Sequence, residues 1–115
     1  MIPSPREHAP RLRAVTGLAA GHVTLRLAGE IDLGTAPRLR HAMGACLRQR
    51  PTAVHLDISD VAFCDCAGLN ALLWARAQAD GAPAAFELRG PVQPPVARLL
   101  DLTGTAAVLG LIPAA

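Results

Sequence analysis

Residues 54–69 run Val54-His55-Leu56-Asp57-Ile58-Ser59-Asp60-Val61-Ala62-Phe63-Cys64-Asp65-Cys66-Ala67-Gly68-Leu69. Val54, Leu56 and Ile58 fall on one side, with His55 and Asp57 on the other. That two-residue period predicts a strand over 53–58. Residues 59–64 read as a short connection. Asp65 then stands where a helix N-cap belongs. A helix is expected over 67–80, with Leu69, Leu72, Leu73 and Ala77 inward and Gly81 as its stop. A strand that delivers the chain directly into a helix is the first half of a βαβ unit.

The same pattern extends in both directions. Val23, Leu25 and Leu27 alternate with Thr24, Arg26 and Ala28, a second strand that Gly29 is expected to end before the loop at 30–34. Residues 11–18 form a weaker candidate edge strand, joined to it by a turn at Gly21. Thr35 is a candidate N-cap with Pro37 in the first turn behind it. Leu39, Ala42, Met43, Cys46 and Leu47 make one helical face, ending near Gln49 ahead of Pro51. Downstream, 84–88 reads as a short core strand broken by Gly90-Pro91. Pro94-Pro95 opens a third helix carrying Val96, Leu99 and Leu100, and Gly104 closes it. Residues 106–111 read as a short last strand or an extended tail. Strands alternating with helices, each crossover long enough for a right-handed unit, predict an α/β sheet. Residues 1–10, with three prolines, read as a flexible lead-in to a single domain over 11–112.

Composition narrows the chemistry. The 115 residues suffice for one domain with its own core. Lysine is absent, so neither a Schiff-base lysine nor a phosphate-loop lysine is available. Three aromatic residues (Phe63, Trp74 and Phe86) are too few for a base-stacking platform. A net charge of +2 with scattered arginines gives no reason to expect a nucleic-acid partner. No apolar run reaches the roughly 18 residues of a membrane span. Cys46, Cys64 and Cys66, without a secretion signal, read as reduced thiols in a cytoplasm.

Three segments together resemble the STAS domain of bacterial anti-sigma factor antagonists. The first is 27–36, Leu27-Ala28-Gly29-Glu30-Ile31-Asp32-Leu33-Gly34-Thr35-Ala36, similar to the family's strand followed by a Gly-Glu-Leu/Ile-Asp loop. The second is 54–69, similar to an apolar strand followed by Asp-Ser-Ser/Ala-Gly-Leu opening a helix. The third is 96–104, similar to the family's third helix. The resemblance implies a mixed sheet of four or five strands with about three helices on one face. It further implies a non-catalytic regulator that binds a histidine-kinase-like ATPase, an anti-sigma factor and serine kinase, and thereby frees a sigma factor. The kinase would phosphorylate the serine that heads the second helix. In this chain that position is Cys66, which a serine kinase is not expected to modify. The alternative within the same resemblance is a STAS subunit bracing the ATPase of a lipid ABC transporter, where no phosphorylation is needed.

The partner-binding residues implied are Glu30, Asp32, Thr35, Asp60, Asp65, Cys66, Ala67, Gly68 and Leu69. The plainer reading of Glu30 and Asp32 is a solvated loop favoured by a helix dipole, and that of Asp65 is a cap. Cys46 and Cys64 are expected in the core. His22, His41 and His55 are expected as surface or strand-face residues, and Arg76 on a solvated face. Trp74 either covers the core edge or anchors a partner. Cys64-x-Cys66 lacks the further ligands of a metal site. No metal, cofactor or small-molecule substrate is expected.

Overall fold

The computed structural model describes residues 11–112. Its elements in chain order are β1 (Leu12–Ala19), β2 (His22–Ile31), α1 (Ala36–Arg48), β3 (Ala53–Cys64), α2 (Cys66–Gly81), β4 (Ala85–Arg89), α3 (Pro94–Thr103) and β5 (Leu111–Ile112). The five strands form one sheet in the order β1-β2-β3-β4-β5. β1 and β2 are an antiparallel hairpin, and every later pairing is parallel. The fold is α/β, as the alternation of elements predicts, and β1 is indeed an edge.

All three helices bury their apolar residues on the same side of the sheet. Leu39 and Cys46 of α1, Leu69 and Leu72 of α2, and Val96 and Leu100 of α3 share one cluster with Leu25, Leu27, Leu56, Ile58 and Leu88. A second cluster joins Met43, Val54, Ala75, Ala79 and Ala84, with Trp74 packed on it. Trp74 therefore covers the core edge. The register places His22, Thr24 and Arg26 of β2, His55 and Asp57 of β3, and Glu87 and Arg89 of β4 on the opposite, helix-free face. Alternation along each strand separates these two sets.

Both central strands run further than their hydrophobic period predicts. β2 continues through Gly29 to Ile31 because Gly29 adopts φ 118° and lets the β1 backbone close in. The Glu30 N–H donates to the Arg11 carbonyl at 2.8 Å. A Cβ at Gly29 would lie 2.1 Å from that oxygen, so the position requires glycine. β3 continues past Ile58 to Cys64. Two register shifts against β2 each leave an extra residue on β3. Ile58, Val61 and Cys64 are buried at a spacing of three, which hides the strand from a two-residue pattern.

Four further expectations are corrected. Ala77 is exposed, and Ala75 and Ala79 are the inward positions. α2 is apolar around most of its circumference, so its stripe is poorly marked in sequence. Gly81 lies within the helix and Ala82 follows as its C-cap. Residues 106–110 form turns, with β5 confined to Leu111–Ile112. Arg76 is half-buried rather than solvated: its guanidinium donates to the Val108 carbonyl and to Asp80 at 3.4 Å. Gly44, by contrast, sits inside α1 with only the Arg48 guanidinium near its open side. Gly44→Ala should raise unfolding free energy by about 1 kcal/mol, the usual helix-interior difference, measured by urea denaturation.

Candidate protein-docking site

The parallel strands deliver two segments to one end of the sheet: the turn at 32–35 after β2, and the start of α2 after β3. The turn is held by a reciprocal pair. The Asp32 N–H donates to Thr35 Oγ1 at 2.9 Å, and the Thr35 N–H donates to Asp32 Oδ1 at 3.0 Å. Thr35 Oγ1 in turn donates to the Glu30 carbonyl at 2.8 Å. Thr35 occupies the N-cap position of α1, but its hydroxyl caps nothing in the helix and faces back into the turn. This corrects the sequence expectation. The short acidic side chain at Asp32 competes for the first free N–H, as such side chains do. Thr35→Val should therefore cost about 1–2 kcal/mol, since it leaves the half-buried Glu30 carbonyl and Asp32 N–H without their partner. Chemical denaturation would measure it.

Arg11 clamps the turn from the start of β1, 2.8 Å from Asp32 and 3.8 Å from Glu30. Burial alone would raise the Asp32 carboxyl. The Thr35 N–H, the Arg11 cation and the Thr35 hydroxyl outweigh it and hold the group below its ordinary 3.8. A lowered folded value stabilises the fold above the ordinary carboxylate range, and that contribution is lost as pH falls through it. The Arg89 hydrogen bond lowers Glu87 the same way, opposed by burial and aided by His55. The urea midpoint should fall as pH drops below about 4, and Asp32→Asn should make that fall shallower.

The second segment opens α2. Asp65 has extended backbone and accepts the Gly68 N–H at 2.8 Å, so it is the N-cap that the sequence predicts. Cys66 follows as the first helical residue and is exposed. Cys64, one strand residue before the cap, is buried. Burial, reinforced by the charges of Asp65 and Cys66, pushes its thiol up to about 12. Burial raises the Cys46 thiol too. Both are core thiols, as expected.

The two segments touch through Gly68. A Cβ there would lie 2.2 Å from the Ile31 carbonyl oxygen and 2.8 Å from Cys64 Sγ. The Asp65 N–H also donates to the Ile31 carbonyl at 3.3 Å. The end of β2 thus lies directly against the head of α2.

The structure brings Glu30, Asp32 and Thr35 together as one turn, and Asp65, Cys66, Ala67, Gly68 and Leu69 as one helix start. Gly68 and Leu69 are buried and serve packing; Cys66 is exposed and Ala67 half-exposed. Asp60 sits apart, exposed and paired with Ala28, where the β3 register shifts. Two residues within these segments were not singled out in sequence. Leu33 in the turn is 77% exposed, and Phe63, paired with Glu30, is 44% exposed. Leu33 lacked any pattern to mark it. Phe63 was hidden by the shifted β3 register. Both segments thus expose a large apolar residue as well as acids, Leu33 with Glu30 and Asp32 in the turn and Phe63 two positions before Asp65, a mixture of the kind found at protein-docking surfaces. Among the described residues, no group of three or more His, Cys, Asp or Glu is arranged to hold a metal, and no helix is long and apolar enough to cross a membrane.

A mixed five-stranded sheet with three helices on one face, and a helix start presented beside the β2 turn, defines a STAS-type domain. Residues 15–113 match the family model described as "Mlab, STAS domain", and the chain belongs to the STAS domain family. Among solved structures, it is similar to an anti-sigma factor antagonist from Mycobacterium paratuberculosis. The two share 30% identity over 92% of this chain and 90% of the other, with a TM-score of 0.80. The anti-sigma factor antagonist SpoIIAA in its unphosphorylated form shares the fold at 17% identity, 90% and 89% coverage and a TM-score of 0.73. The anti-sigma-F factor antagonist RsfB of Mycobacterium tuberculosis is 42% identical over 52 residues. That match spans 45% of this chain and 43% of the relative, less than half its length.

Proposed function

We propose that this chain is a cytoplasmic, non-catalytic protein-binding regulator of the anti-sigma factor antagonist kind. Its partner would be an anti-sigma factor of the histidine-kinase-like ATPase type, whose capture frees a sigma factor. The observation that carries this reading is the close packing of the end of β2, which leads into the Glu30–Thr35 turn, against the start of α2, with Leu33 and Phe63 exposed on the two segments. The likeness to RsfB and to the Mycobacterium paratuberculosis protein, both anti-sigma factor antagonists, supports it.

Cys66 makes the switch unusual. A hydroxyl at this position could take a phosphate whose charge of about −2 faces a docking partner. A thiol offers no such route to a serine kinase. Docking then persists without release by phosphorylation at this residue, and the chain acts as a constitutive antagonist.

The same cysteine favours a second reading, a STAS subunit that braces the ATPase of a lipid ABC transporter and needs no phosphoacceptor. Affinity capture from the native host with mass spectrometry separates the two. Recovery of a histidine-kinase-like ATPase supports the first. Recovery of an ABC ATPase with its permease replaces it with the second.

A further inference from the structure

The helix-free face carries a cluster that the docking site does not use. His22 opens β2, and His55 lies diagonally across on β3, since Thr24 is the direct partner of His55. His22 Nδ1 and His55 Nε2 are 3.0 Å apart, with ring centroids at 5.1 Å and planes tilted by 41°. His55 is only 8% exposed. Its other nitrogen, Nδ1, lies 2.6 Å from Glu87 Oε1 on β4, yet makes no aligned hydrogen bond. Glu87 is itself held by Arg89 at 2.7 Å. A cavity of about 480 Å³ opens over the pair, lined by Leu18, Ala19, His22, Thr24, His55 and Arg89 among others.

We propose that His22 Nδ1 and His55 Nε2 form a two-nitrogen site for a divalent transition-metal ion of tetragonal or octahedral preference, such as Ni²⁺. Two metal–nitrogen bonds of about 2.0–2.1 Å that span a 3.0 Å gap meet at roughly 90–97°, once ring rotations turn both lone pairs off the hydrogen-bond line toward one point. That angle suits square or octahedral coordination and is too narrow for the tetrahedron zinc prefers. Glu87 lies beside the far nitrogen of His55, where a carboxylate commonly backs a metal-bound imidazole; a small turn of the ring that aligns the two would fix the tautomer with Nε2 free. His22 is exposed, so its proton shifts to the solvent-facing nitrogen as the metal replaces the hydrogen bond, with no net proton change in a neutral pair. The remaining coordination positions open into the cavity and are filled by water. Two ligands on separate strands did not show as a motif because 33 positions separate them in sequence.

The test is calorimetric titration of the protein with Ni²⁺ at mildly alkaline pH, in a Cys66→Ala background that removes the exposed thiol. One ion per chain should bind, and His22→Gln and His55→Gln should each weaken binding at least tenfold. His41→Gln, on α1, should change nothing. His22 is exposed, so its variant is expected to fold, and it serves as the deciding one should His55→Gln disturb the core. Glu87→Gln should weaken binding less than loss of either imidazole. Equal affinity in the parent and His22→Gln, or no binding by the parent, overturns the site. Zinc binding tighter than nickel overturns the geometry assigned to it.

Discussion

Gly68→Ala should be among the most damaging single substitutions in this chain. The new methyl carbon would lie 2.2 Å from the Ile31 carbonyl oxygen and 2.8 Å from Cys64 Sγ. The oxygen belongs to backbone and cannot rotate away. Either β2 or α2 must shift, and both are anchored in the main core cluster. Overpacking of this sort costs about 3 kcal/mol. For a domain of this size that corresponds to a fall in Tm of roughly 10–20 °C. The helix-propensity gain of about 1 kcal/mol from Gly to Ala is included in neither figure and does not reverse the sign. Gly44→Ala supplies the contrast, since it adds the same methyl inside α1 without a backbone atom in the way. Thermal and urea unfolding of the two variants should move in opposite directions. Equal stability of Gly68→Ala and the parent would refute the close contact between β2 and α2.

The second large effect concerns binding. Cys66→Asp places a carboxylate at the first position of α2, next to Asp65 and facing outward. An acid at a helix start is favourable to the helix by up to about 1 kcal/mol, so folding should hold or improve. Affinity for the protein partner should fall at least tenfold, about 1.4 kcal/mol, because like charge on an interface is repelled or desolvated. Cys66→Ser should bind within about twofold of the parent, since the side chains are nearly equal in size. It should also accept phosphate from a serine-kinase partner and then dissociate. Calorimetry with the captured partner reads the affinities, and circular dichroism reads the fold. Unchanged affinity in Cys66→Asp removes the α2 start from the interface.

What the sequence revealed and what it concealed have physical causes. The first half of β3 was legible because Val54, Leu56 and Ile58 alternate with polar residues over an open sheet face. Its second half was not, because the extra residues on β3 break the alternation that a reader relies on. Asp65 was legible as a cap, since the bond it makes is local, three residues along. Thr35 was misread for the same reason in reverse. Its hydroxyl bonds to the Glu30 carbonyl and the Asp32 N–H instead, in a turn that Arg11 clamps through Asp32. The inward stripe of α2 was blurred by its many alanines and leucines, so Ala77 looked as apolar as Ala75. The contact between Gly68 and Ile31, like the pairing of His22 with His55, joins residues more than thirty positions apart. No local pattern records such pairs.

If this surface docks a partner as proposed, the seam between Ile31 and Gly68 also bears on how fast it works. With backbone against backbone, and each flanking segment locked by its own aspartate, the two halves of the patch have no room to move independently. Little order remains to be gained on docking, so the entropy lost from this side of the complex is small. Encounter then follows rigid-body diffusion, and its rate responds to ionic strength through the acidic rim rather than to temperature through a slow rearrangement.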